Sequence, residues 1–385
     1  MRPEELHAVS LSVCSSPTLN HIWELAPSYG PTKLYEKLSK NNDLTTQAFI
    51  QTIYQANPLD AAVEICNSCH LKKIKIISFW DSDYPKFLKE ISKPPIVLYC
   101  KGNLNFEKAV AIVGTRKTDK KSSVVARRLS HELSRAGYTI VSGMAIGIDR
   151  EAHLGALKNN SSTIGVLANG IDIVYPAYNR DIYSAISAST NSSLISEYPP
   201  GIFAGKWTFV RRNRIISGLA LGTVVVKAAK KSGALITANY ALEQNREVFV
   251  CPGPAFDEAY SGCHDLLKSG AVLVSQTEDI LNELSDYKDN IDLIKRKTES
   301  KKTEKKIHDK GQDSPDLFKY NSNFVKQYPQ NSIENKILNL LINGEMDIDS
   351  IMRLPGHLPN EINEAVVMLE LSNEITRDGN IISRL

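Results

Sequence analysis

The chain has 385 residues, of which 42% are hydrophobic and 23% are charged, with six cysteines and a formal net charge of +3. This composition is ordinary for a globular protein, and the length predicts two or three domains. The N-terminus lacks the apolar segment of a signal peptide, and no apolar run is long enough to cross a bilayer, so we expect a cytoplasmic protein with no membrane partner.

The first predicted domain covers residues 1–72 and is small and helical. Its helices are short and are separated by proline and glycine, as in Ala26-Pro27-Ser28-Tyr29-Gly30-Pro31. The last predicted helix, Pro58 to Leu71, contains Cys66-Asn67-Ser68-Cys69-His70, the spacing of c-type haem attachment and of half a zinc site. A second ligand pair is not evident nearby, so we interpret both cysteines as small apolar residues and expect no metal or other cofactor.

Residues 73–284 are predicted to form an α/β domain with a Rossmann-like, doubly wound and mostly parallel sheet. Two strands, Ile74–Phe79 and Ile96–Tyr99, come first, and short β-branched runs then alternate with helical segments. This alternation is typical of a parallel sheet with helices on both faces, whose ligand crevice lies beyond the carboxyl ends of the strands. The further predicted strands are 109–113, 138–142, 163–168, 193–196, 223–226, 247–251 and 271–274, and the predicted helices are 122–136, 149–158, 179–188, 211–219 and 233–245.

Within this domain, the segment from Lys206 to Arg214 places two aromatic residues among four cations. No Asp or Glu occurs from Tyr198 to Leu242, so the positive field of this window is not screened by its own sequence. Cations attract the phosphate backbone and aromatic faces stack on bases, which together favour binding of single-stranded nucleic acid. The alternative is a solvated basic face with core aromatics.

Three glycine-bearing turns precede predicted helices in the same domain. They are Gly114-Thr115-Arg116-Lys117, Ser142-Gly143-Met144-Ala145-Ile146-Gly147, and Ser232-Gly233-Ala234-Leu235-Ile236-Thr237. Small residues at helix starts let backbone amides approach phosphates, so the three turns predict a phosphate-binding groove at one edge of the sheet. A tight turn with a solvated arginine is the alternative for the first.

Two further residues follow the second turn. Asp149 is predicted to be a helix N-cap, and His153, four residues later, is interpreted as partly buried rather than as its acid–base partner.

No nucleophile–base set, metal cluster or Walker lysine loop accompanies these turns, so binding is favoured over catalysis and no catalytic residue is expected. We expect cationic side chains to neutralise phosphates, Phe209 and Trp207 to stack on bases, and glycines to admit the backbone. The predicted nucleic-acid site comprises Gly114, Thr115, Arg116, Lys117, Ser142, Gly143, Gly147, Lys206, Trp207, Phe209, Arg211, Arg212, Asn213, Arg214, Ser232, Gly233 and Thr237.

The remaining sequence predicts a linker over residues 285–330 and a small domain over 331–385. The linker is rich in charges of both signs and has little to bury, which indicates a flexible, Lys-rich segment. Three short helices (333–341, 348–354 and 359–371) and a hairpin around Asp378-Gly379 predict a winged helix.

The predicted winged helix has a formal charge of −5, since its sequence contains 4 Lys/Arg and 9 Asp/Glu. Its candidate recognition helix carries Glu361, Glu364 and Glu370 and no cation, so it would repel phosphates unless Arg377 and Arg384 on the wing dominate. We therefore expect a protein-contact role for this domain.

A series of motifs runs in order across residues 80–275. They are Ala111–Arg116, Val141–Asp149 with Ala152-His153, Thr163–Leu167, Gly170-Ile171-Asp172, Tyr175-Pro176, Ser196–Gly201, Arg212–Leu219, Ser232–Ala238 and Val250–Gly253. In this order the motifs closely resemble the DprA/Smf family of DNA-processing proteins. The flanks resemble, more loosely, that family's N-terminal sterile-α-motif-like domain and C-terminal winged helix.

The resemblance implies a protein that binds single-stranded DNA in its Rossmann-like domain and loads the RecA recombinase during natural transformation. It also implies homodimers through that domain and no known enzymatic activity. The family's single-strand contacts map onto the Gly114-Thr115-Arg116 turn, Lys206 and Phe209. Three positions and one segment depart from the family pattern. Lys227 stands for Glu, which would add charge at the sheet edge, Val210 stands for Pro, and His264 stands for Asn. Cys14-Ser15-Ser16-Pro17 replaces a glycine-rich hairpin, which leaves a DNA role of the first domain open.

Two other functions are weighed against this one. A nucleotide-hydrolysing Rossmann-like enzyme would need a glycine-rich loop followed by Glu, but Val250–Ala255 lacks the second glycine and Glu258 is out of register. A duplex-DNA-binding regulator would act through the winged helix.

Overall fold

The structure is a computed structural model with two compact units, Met1–Lys295 and Arg296–Leu385. The described residues are 2–14, 22–40, 57–158, 160–285, 332–341 and 346–352, together with 361–362, 365–366, 369–370, 374–378 and 381–384. Four sequence features lie wholly or largely outside these residues: the predicted linker beyond Ser285, the segment Ser15-Ser16-Pro17, Glu364, and Gly379 of the predicted hairpin.

The first unit begins with helices that start at prolines, where the missing N–H costs no hydrogen bond. They are α1 (Pro3–Ser12), α2 (Pro31–Lys40) and α3 (Pro58–Leu71). The Asn57 side chain caps α3 by accepting from the amides of the second and third helical residues. Cys66 and Cys69 of α3 are buried, and burial raises the pKa of both thiols to about 12.

A nine-stranded sheet forms the centre of the unit, in the spatial order β1-β2-β6-β5-β4-β3-β7-β8-β9. The β1–β2 and β2–β6 pairs are antiparallel and the others are parallel, which confirms the prediction of a mostly parallel Rossmann-like sheet. The strands are β1 (Lys75–Ser78), β2 (Val97–Gly102), β3 (Ala109–Val113), β4 (Thr139–Ser142), β5 (Thr163–Leu167), β6 (Ser193–Ser196), β7 (Gly222–Val225), β8 (Glu247–Val250) and β9 (Val272–Leu273).

Helices cover both faces of this sheet, and residues 277–285 are also helical. The helix containing the basic segment begins five residues earlier than predicted, at Lys206. Its first turn is closed by Thr208, whose hydroxyl accepts from the Gly205 amide at 2.9 Å. The helices are α4 (Lys86–Lys89), α5 (Lys120–Arg135), α6 (Ile148–Leu157), α7 (Arg180–Ala188), α8 (Lys206–Gly218), α9 (Gly233–Glu243) and α10 (Ser261–Lys268).

The N-terminal helices and the sheet share one hydrophobic cluster, although the sequence predicts separate domains with a boundary at residue 72. Leu11 and Ile65 from the helices belong to the same buried cluster as Tyr99 and Leu194 from the sheet. Tryptophans reinforce the junction, because Trp80 Nε1 donates to the carbonyls of Tyr29 (2.7 Å) and Ala26 (3.1 Å), and Trp23 Nε1 donates to the carbonyl of Pro94 (2.8 Å).

The second unit contains a three-stranded antiparallel sheet in the order β10-β12-β11. Residues 361–362, 365–366 and 369–370 are helical, and Ile362, Val366 and Leu369 enter a small core. Among all the described residues, no helix has both the length and the apolar content needed to cross a bilayer. The remaining elements are α11 (Ile333–Leu340), β10 (Met346–Asp347), α12 (Ile348–Ile351), β11 (Ile375–Asp378) and β12 (Ile381–Arg384).

Changing Trp80→Phe should lower the free energy of unfolding of the first unit by about 1–3 kcal/mol, because two part-buried carbonyls lose their donor. All three tryptophans lie in this unit, so urea unfolding followed by tryptophan fluorescence measures it selectively. Trp207→Phe is the matched control, since Trp207 lies on the surface of α8 and is 37% exposed. Equal stability of the two variants would contradict the proposed role of Trp80 at the junction.

Candidate nucleic-acid interface

The carboxyl ends of the central parallel strands open into a small cleft that is continuous with solvent. The turn after β3 contributes Arg116, the turn after β4 contributes Gly143 and Ile146, and the loop after β5 contributes Tyr175. Phe209 of α8 closes one side. The structure therefore brings together Arg116, Gly143 and Phe209 of the predicted site, at the sheet edge where ligands bind in open α/β folds.

A guanidinium group and two aromatic rings meet at this cleft. Arg116 is exposed, and its Cζ lies 5.0 Å from the centroid of the Phe209 ring, within the range of a cation–π contact. The Tyr175 and Phe209 ring centroids are 5.7 Å apart, and their planes are inclined at 45°. One small surface thus combines positive charge with faces on which a base can stack.

Lys206 and Trp207 lie at the first turn of α8 and are both exposed. Since residues three apart share a helix face, Lys206 lies on the same side of α8 as Phe209. The Trp207 ring packs edge-on against Tyr198, with centroids 5.6 Å apart. The outer face of α8 therefore extends the cationic and aromatic surface of the cleft.

Arg212 points inward instead of toward solvent. It is 4% exposed, and its Nη1 donates to the carbonyls of Gly143 (2.5 Å) and Val166 at the ends of β4 and β5. Burial lowers the pKa of Arg212 to about 10, and the neighbouring Arg116 acts in the same direction. The guanidinium group of Arg212 therefore stabilises the backbone beneath the cleft and is not available to contact a ligand directly.

Arg211 and Arg214 are also held within the protein, by Glu197. The Arg214 Nη2 lies 2.5 Å from Glu197 Oε1, and the Arg211 Nε lies 3.3 Å from Glu197 Oε2. Burial opposes ionisation of Glu197, but the two guanidinium groups hold its pKa below the ordinary value. In sequence, Glu197 immediately precedes the segment from Tyr198 to Leu242, which contains no Asp or Glu. In the fold, it supplies the carboxylate for two arginines of that segment. The adjacent Asn213 donates to the Gly233 carbonyl at 3.3 Å.

Gly143 is required by the position of Arg212. A Cβ at residue 143 would lie 2.7 Å from the Arg212 guanidinium carbon. The amides of Gly143 and Ala145 donate to the Asp149 carboxylate, at 3.2 and 3.4 Å, so the Gly143 amide is already used within the protein. The predicted N-cap role of Asp149 is wrong, because α6 begins at Ile148 and the carboxylate reaches back to the preceding turn.

The other glycines of the first two turns are also explained by internal contacts. Gly147 has a φ of +86°, and a Cβ there would lie 2.4 Å from the carbonyl oxygen of Thr115. A Cβ at Gly114 would lie 2.6 Å from the Ile148 side chain. These two glycines join the turns after β3 and β4 tightly, which fixes the backbone from which Arg116 projects.

Several predicted polar residues are enclosed. Ser142 is fully buried and donates to the Ile112 carbonyl at 2.7 Å, and Thr237 is buried in α9. His153 is fully buried and hydrogen-bonds Thr163 at 2.8 Å, so it is more enclosed than the sequence interpretation has it. Burial lowers the pKa of His153 to about 3, which keeps the imidazole neutral near pH 7.

Four predicted residues remain at the surface of the first and third turns. Lys117 is exposed and Thr115 is partly exposed, with the Thr115 hydroxyl accepting from the Lys117 amide at 3.1 Å. Ser232 caps α9 by accepting from the Ala234 amide, and Gly233 faces open space. The third turn therefore keeps the accessibility that a phosphate site would need.

Contrary to the expectation from its sequence position, Lys227 does not add a free charge to the sheet edge. It is 7% exposed, and its Nζ lies 2.5 Å from the carboxylate of Asp119, which caps α5. The hydrogen bond between them raises the pKa of Lys227 and lowers that of Asp119 to about 2. This ion pair is therefore intact at neutral pH and is internally compensated.

The turn after β8 and Glu258 are the features that the alternative, nucleotide-hydrolysing enzyme would use, and neither has the arrangement that it would need. Gly253 lies against Tyr260, where a Cβ would come 2.1 Å from the ring, so a side chain of this protein fills the turn after β8. Glu258 lies in a 3₁₀ turn, Glu258–Tyr260, that leads into α10. Across the described residues, His, Cys, Asp and Glu side chains form no group of three or more that could hold a metal ion.

Sequence reasoning from charge and glycines missed three exposed aromatic residues in loops on the carboxyl side of the sheet. Tyr175, Tyr178 and Phe203 are 46%, 72% and 75% exposed, whereas tyrosine and phenylalanine are usually more buried. They lie in the loops after β5 and β6. The signal that could have identified them is the presence of aromatic residues in loops that follow parallel strands.

Comparisons with known proteins agree in identifying the family. The family model described as DNA recombination-mediator protein A matches residues 75–285. The DNA processing protein DprA of Bacillus subtilis is 36% identical over 286 residues, which cover 72% of this chain and 95% of that protein. The DNA processing protein DprA of Streptococcus pneumoniae is 39% identical over 218 residues, which cover 56% of this chain and 76% of that protein.

Two solved structures are also similar. The X-ray structure of DNA processing protein A from Streptococcus pneumoniae aligns with a TM-score of 0.58 and 32% identity, and covers 74% of this chain and 98% of that chain. A structure that concerns the single-stranded DNA binding mode of DNA processing protein A from Helicobacter pylori aligns with a TM-score of 0.50 and 29% identity, over 55% of this chain and 96% of that chain.

Changing Glu197→Gln should lower the free energy of unfolding by about 3–5 kcal/mol at pH 7, because Arg211 and Arg214 lose the carboxylate that compensates them. The matched control is Glu151→Gln, which breaks an ion pair with Arg127, a side chain that is about half exposed, and should cost about 0–1 kcal/mol. Urea unfolding of both variants and the wild type measures the difference.

The effect of Glu197→Gln should also depend on pH. Folding lowers the pKa of Glu197, so its stabilisation is complete above the ordinary glutamate value of 4.5 and is lost as the pH falls through the folded value. The stability difference from wild type should therefore be constant near neutrality and shrink below about pH 4.5. A difference that grows on acidification would show that the carboxylate is not the stabilising form.

Proposed function

This chain belongs to the DNA recombination-mediator protein A family, and from that membership and the cleft we propose that it binds single-stranded DNA along the carboxyl edge of its sheet. The observation that carries the proposal is the cluster of Arg116, Phe209 and Tyr175, which combines an exposed guanidinium with two aromatic faces. Unpaired bases can reach such faces, whereas the bases of a duplex are already stacked on one another.

Phosphates would be neutralised by the exposed cations around the cleft, Arg116, Lys117 and Lys206, while a base stacks on Phe209. Arg211, Arg212 and Arg214 are omitted from the direct contacts, because their guanidinium groups bind Glu197 and the strand carbonyls. In the proposal these arginines hold α8 in place. The exposed turn at Ser232 and Gly233 would accept a further phosphate at the start of α9.

We also propose that the bound strand is delivered to the RecA recombinase during natural transformation, or during recombination more generally, as the DprA/Smf resemblance implies. The protein would act in the cytoplasm, as a homodimer through its Rossmann-like domain and without an enzymatic step. Holding an extended single strand open is sufficient for such a mediator, because no covalent bond has to change.

For the flanking parts, we propose a sterile-α-motif-like role for the N-terminal helices and a winged-helix fold for the second unit, with β11 and β12 as the wing. The exposed Glu361 and the −5 charge of residues 331–385 favour a protein partner over duplex DNA for that unit.

The double substitution Arg116→Ala with Lys206→Ala should weaken binding of labelled oligo(dT) roughly tenfold or more, since a charge-assisted contact contributes about 1.5–3 kcal/mol. Fluorescence anisotropy across a salt series measures this. The slope of log affinity against log salt should fall by about 0.7 for each phosphate that is no longer neutralised, or about 1.4 in total.

Lys158→Ala is the control for these charge changes, because it removes an exposed lysine at the C-terminal end of α6, at the opposite edge of the sheet. It should leave both affinity and slope unchanged. Wild-type protein that binds matched duplex as tightly as oligo(dT), with no effect of the double substitution, would overturn the proposed function.

Changing Phe209→Leu should weaken oligo(dT) binding by about 1–3 kcal/mol without altering the salt slope, because a base loses its stacking surface while the charges remain. Phe209→Tyr keeps the ring and should bind like the wild type. Anisotropy at one fixed salt concentration compares the affinities of the variants, and a salt series for Phe209→Leu checks the slope. A steeper or shallower salt dependence for Phe209→Leu would show that charge positions had changed.

A further inference from the structure

Tyr178 lies in a short 3₁₀ turn, Ala177–Asn179, directly after two residues that line the cleft, Tyr175 and Pro176. The Tyr178 side chain is 72% exposed and is not among the cleft-lining residues. Neither the charge pattern nor the glycine turns of the sequence mark this position. Its location is nevertheless next to the aromatic faces proposed to stack on bases.

The turn is fixed to the floor of the cleft by Asn179. The Asn179 side-chain amide donates to the carbonyls of Met144 (2.8 Å) and Ala145 (3.0 Å), which belong to the turn after β4 and line the cleft. Asn179 is itself buried. The position of Tyr178 relative to the cleft is therefore set by hydrogen bonds and is not left to a free loop.

One face of the Tyr178 ring rests on Arg150, whose Cζ is 5.0 Å from the ring centroid. Arg150 is in turn held by both oxygens of the Asp181 carboxylate, at 2.8 and 2.6 Å, and by the Asn179 side-chain oxygen at 3.2 Å. The ring is thus supported from below by a guanidinium that cannot move freely. The other face of the ring is exposed to solvent. Because the ring is already held in place, little side-chain entropy would be lost when a planar base stacks on it.

We propose that Tyr178 is a second base-stacking platform, which continues the single-strand path from Phe209 across Tyr175 to the 3₁₀ turn. The inference rests on the proposed single-strand binding and deepens it by adding a contact beyond the cleft. Tyr178 is three positions after Tyr175 in sequence, so their Cα atoms are at most about 11 Å apart. Each strand of a duplex rises about 3.4 Å per nucleotide, and an extended single strand rises more, so this span corresponds to at most about three nucleotides.

The platform contributes stacking without phosphate neutralisation, because Asp181 compensates the charge of Arg150. This distinguishes it from Arg116, which is an exposed cation. A strand long enough to reach Tyr178 should gain affinity from it, while the salt dependence of binding should stay the same. A strand that reaches only Phe209 should not respond to changes at Tyr178.

The test is fluorescence anisotropy of oligo(dT) in a length series from about 2 to about 16 nucleotides, with the full-length protein, so that the shortest strands can reach Phe209 without reaching Tyr178. Tyr178→Ala and Tyr178→Leu should weaken binding of the longer oligonucleotides by about 5- to 150-fold and leave the shortest ones unaffected. Tyr178→Phe should bind like the wild type at every length. The salt slope should be the same for all four proteins.

Each other outcome has a defined meaning. If Tyr178→Ala matches the wild type at every length while Arg116→Ala with Lys206→Ala weakens binding, the platform is absent but single-strand binding at the cleft stands. If Tyr178→Phe is as weak as Tyr178→Ala, the hydroxyl and not the ring is the contact, which overturns the stacking role. If the wild type binds no single strand at any length, the proposed function itself fails.

Discussion

Helix α8 is attached to the sheet through its own positive charges, and the geometry of the cleft depends on that attachment. Arg212 reaches between the ends of β4 and β5, where only a glycine at position 143 leaves room for a guanidinium. Arg211 and Arg214 share Glu197 beneath the helix. Because buried charges must be paired or hydrogen-bonded, these contacts admit few positions of the helix, and they determine where Phe209 emerges.

The cations of α8 and of the sheet edge include two groups with different physical roles. Arg211, Arg212, Arg214 and Lys227 are bound by carboxylates or carbonyls and stabilise the scaffold, whereas Arg116, Lys117 and Lys206 are exposed around the cleft. A small number of exposed cations gives modest phosphate neutralisation, so aromatic stacking must supply much of the binding energy in the proposed function. The exposed rings around the cleft match that requirement.

Much of the fold could be predicted from the sequence, because short β-branched runs alternating with helices allow few arrangements other than a parallel sheet. The turn of Gly114 to Lys117 and the aromatic Phe209 were also identifiable, since strand ends and charge patterns are local features. The inward direction of Arg212 was not, because it depends on a carbonyl contributed by β5, 46 residues away in sequence. The compensation of Lys227 by Asp119, 108 residues apart, was hidden for the same reason. Local sequence indicates which charges exist, and only the fold decides which of them reach solvent.

The hydrophobic cluster shared by the N-terminal helices and the sheet means that each part shields the other from water. Leu11 and Ile65 belong to the same buried cluster as Tyr99 and Leu194 of the sheet, so removal of the helices alone would expose apolar surface on the strands that remain. A shortened chain without residues 1–72 would need polar residues at several of those sheet positions to avoid aggregation. The N-terminal helices are therefore a structural part of the sheet's own core and not an independent appendage.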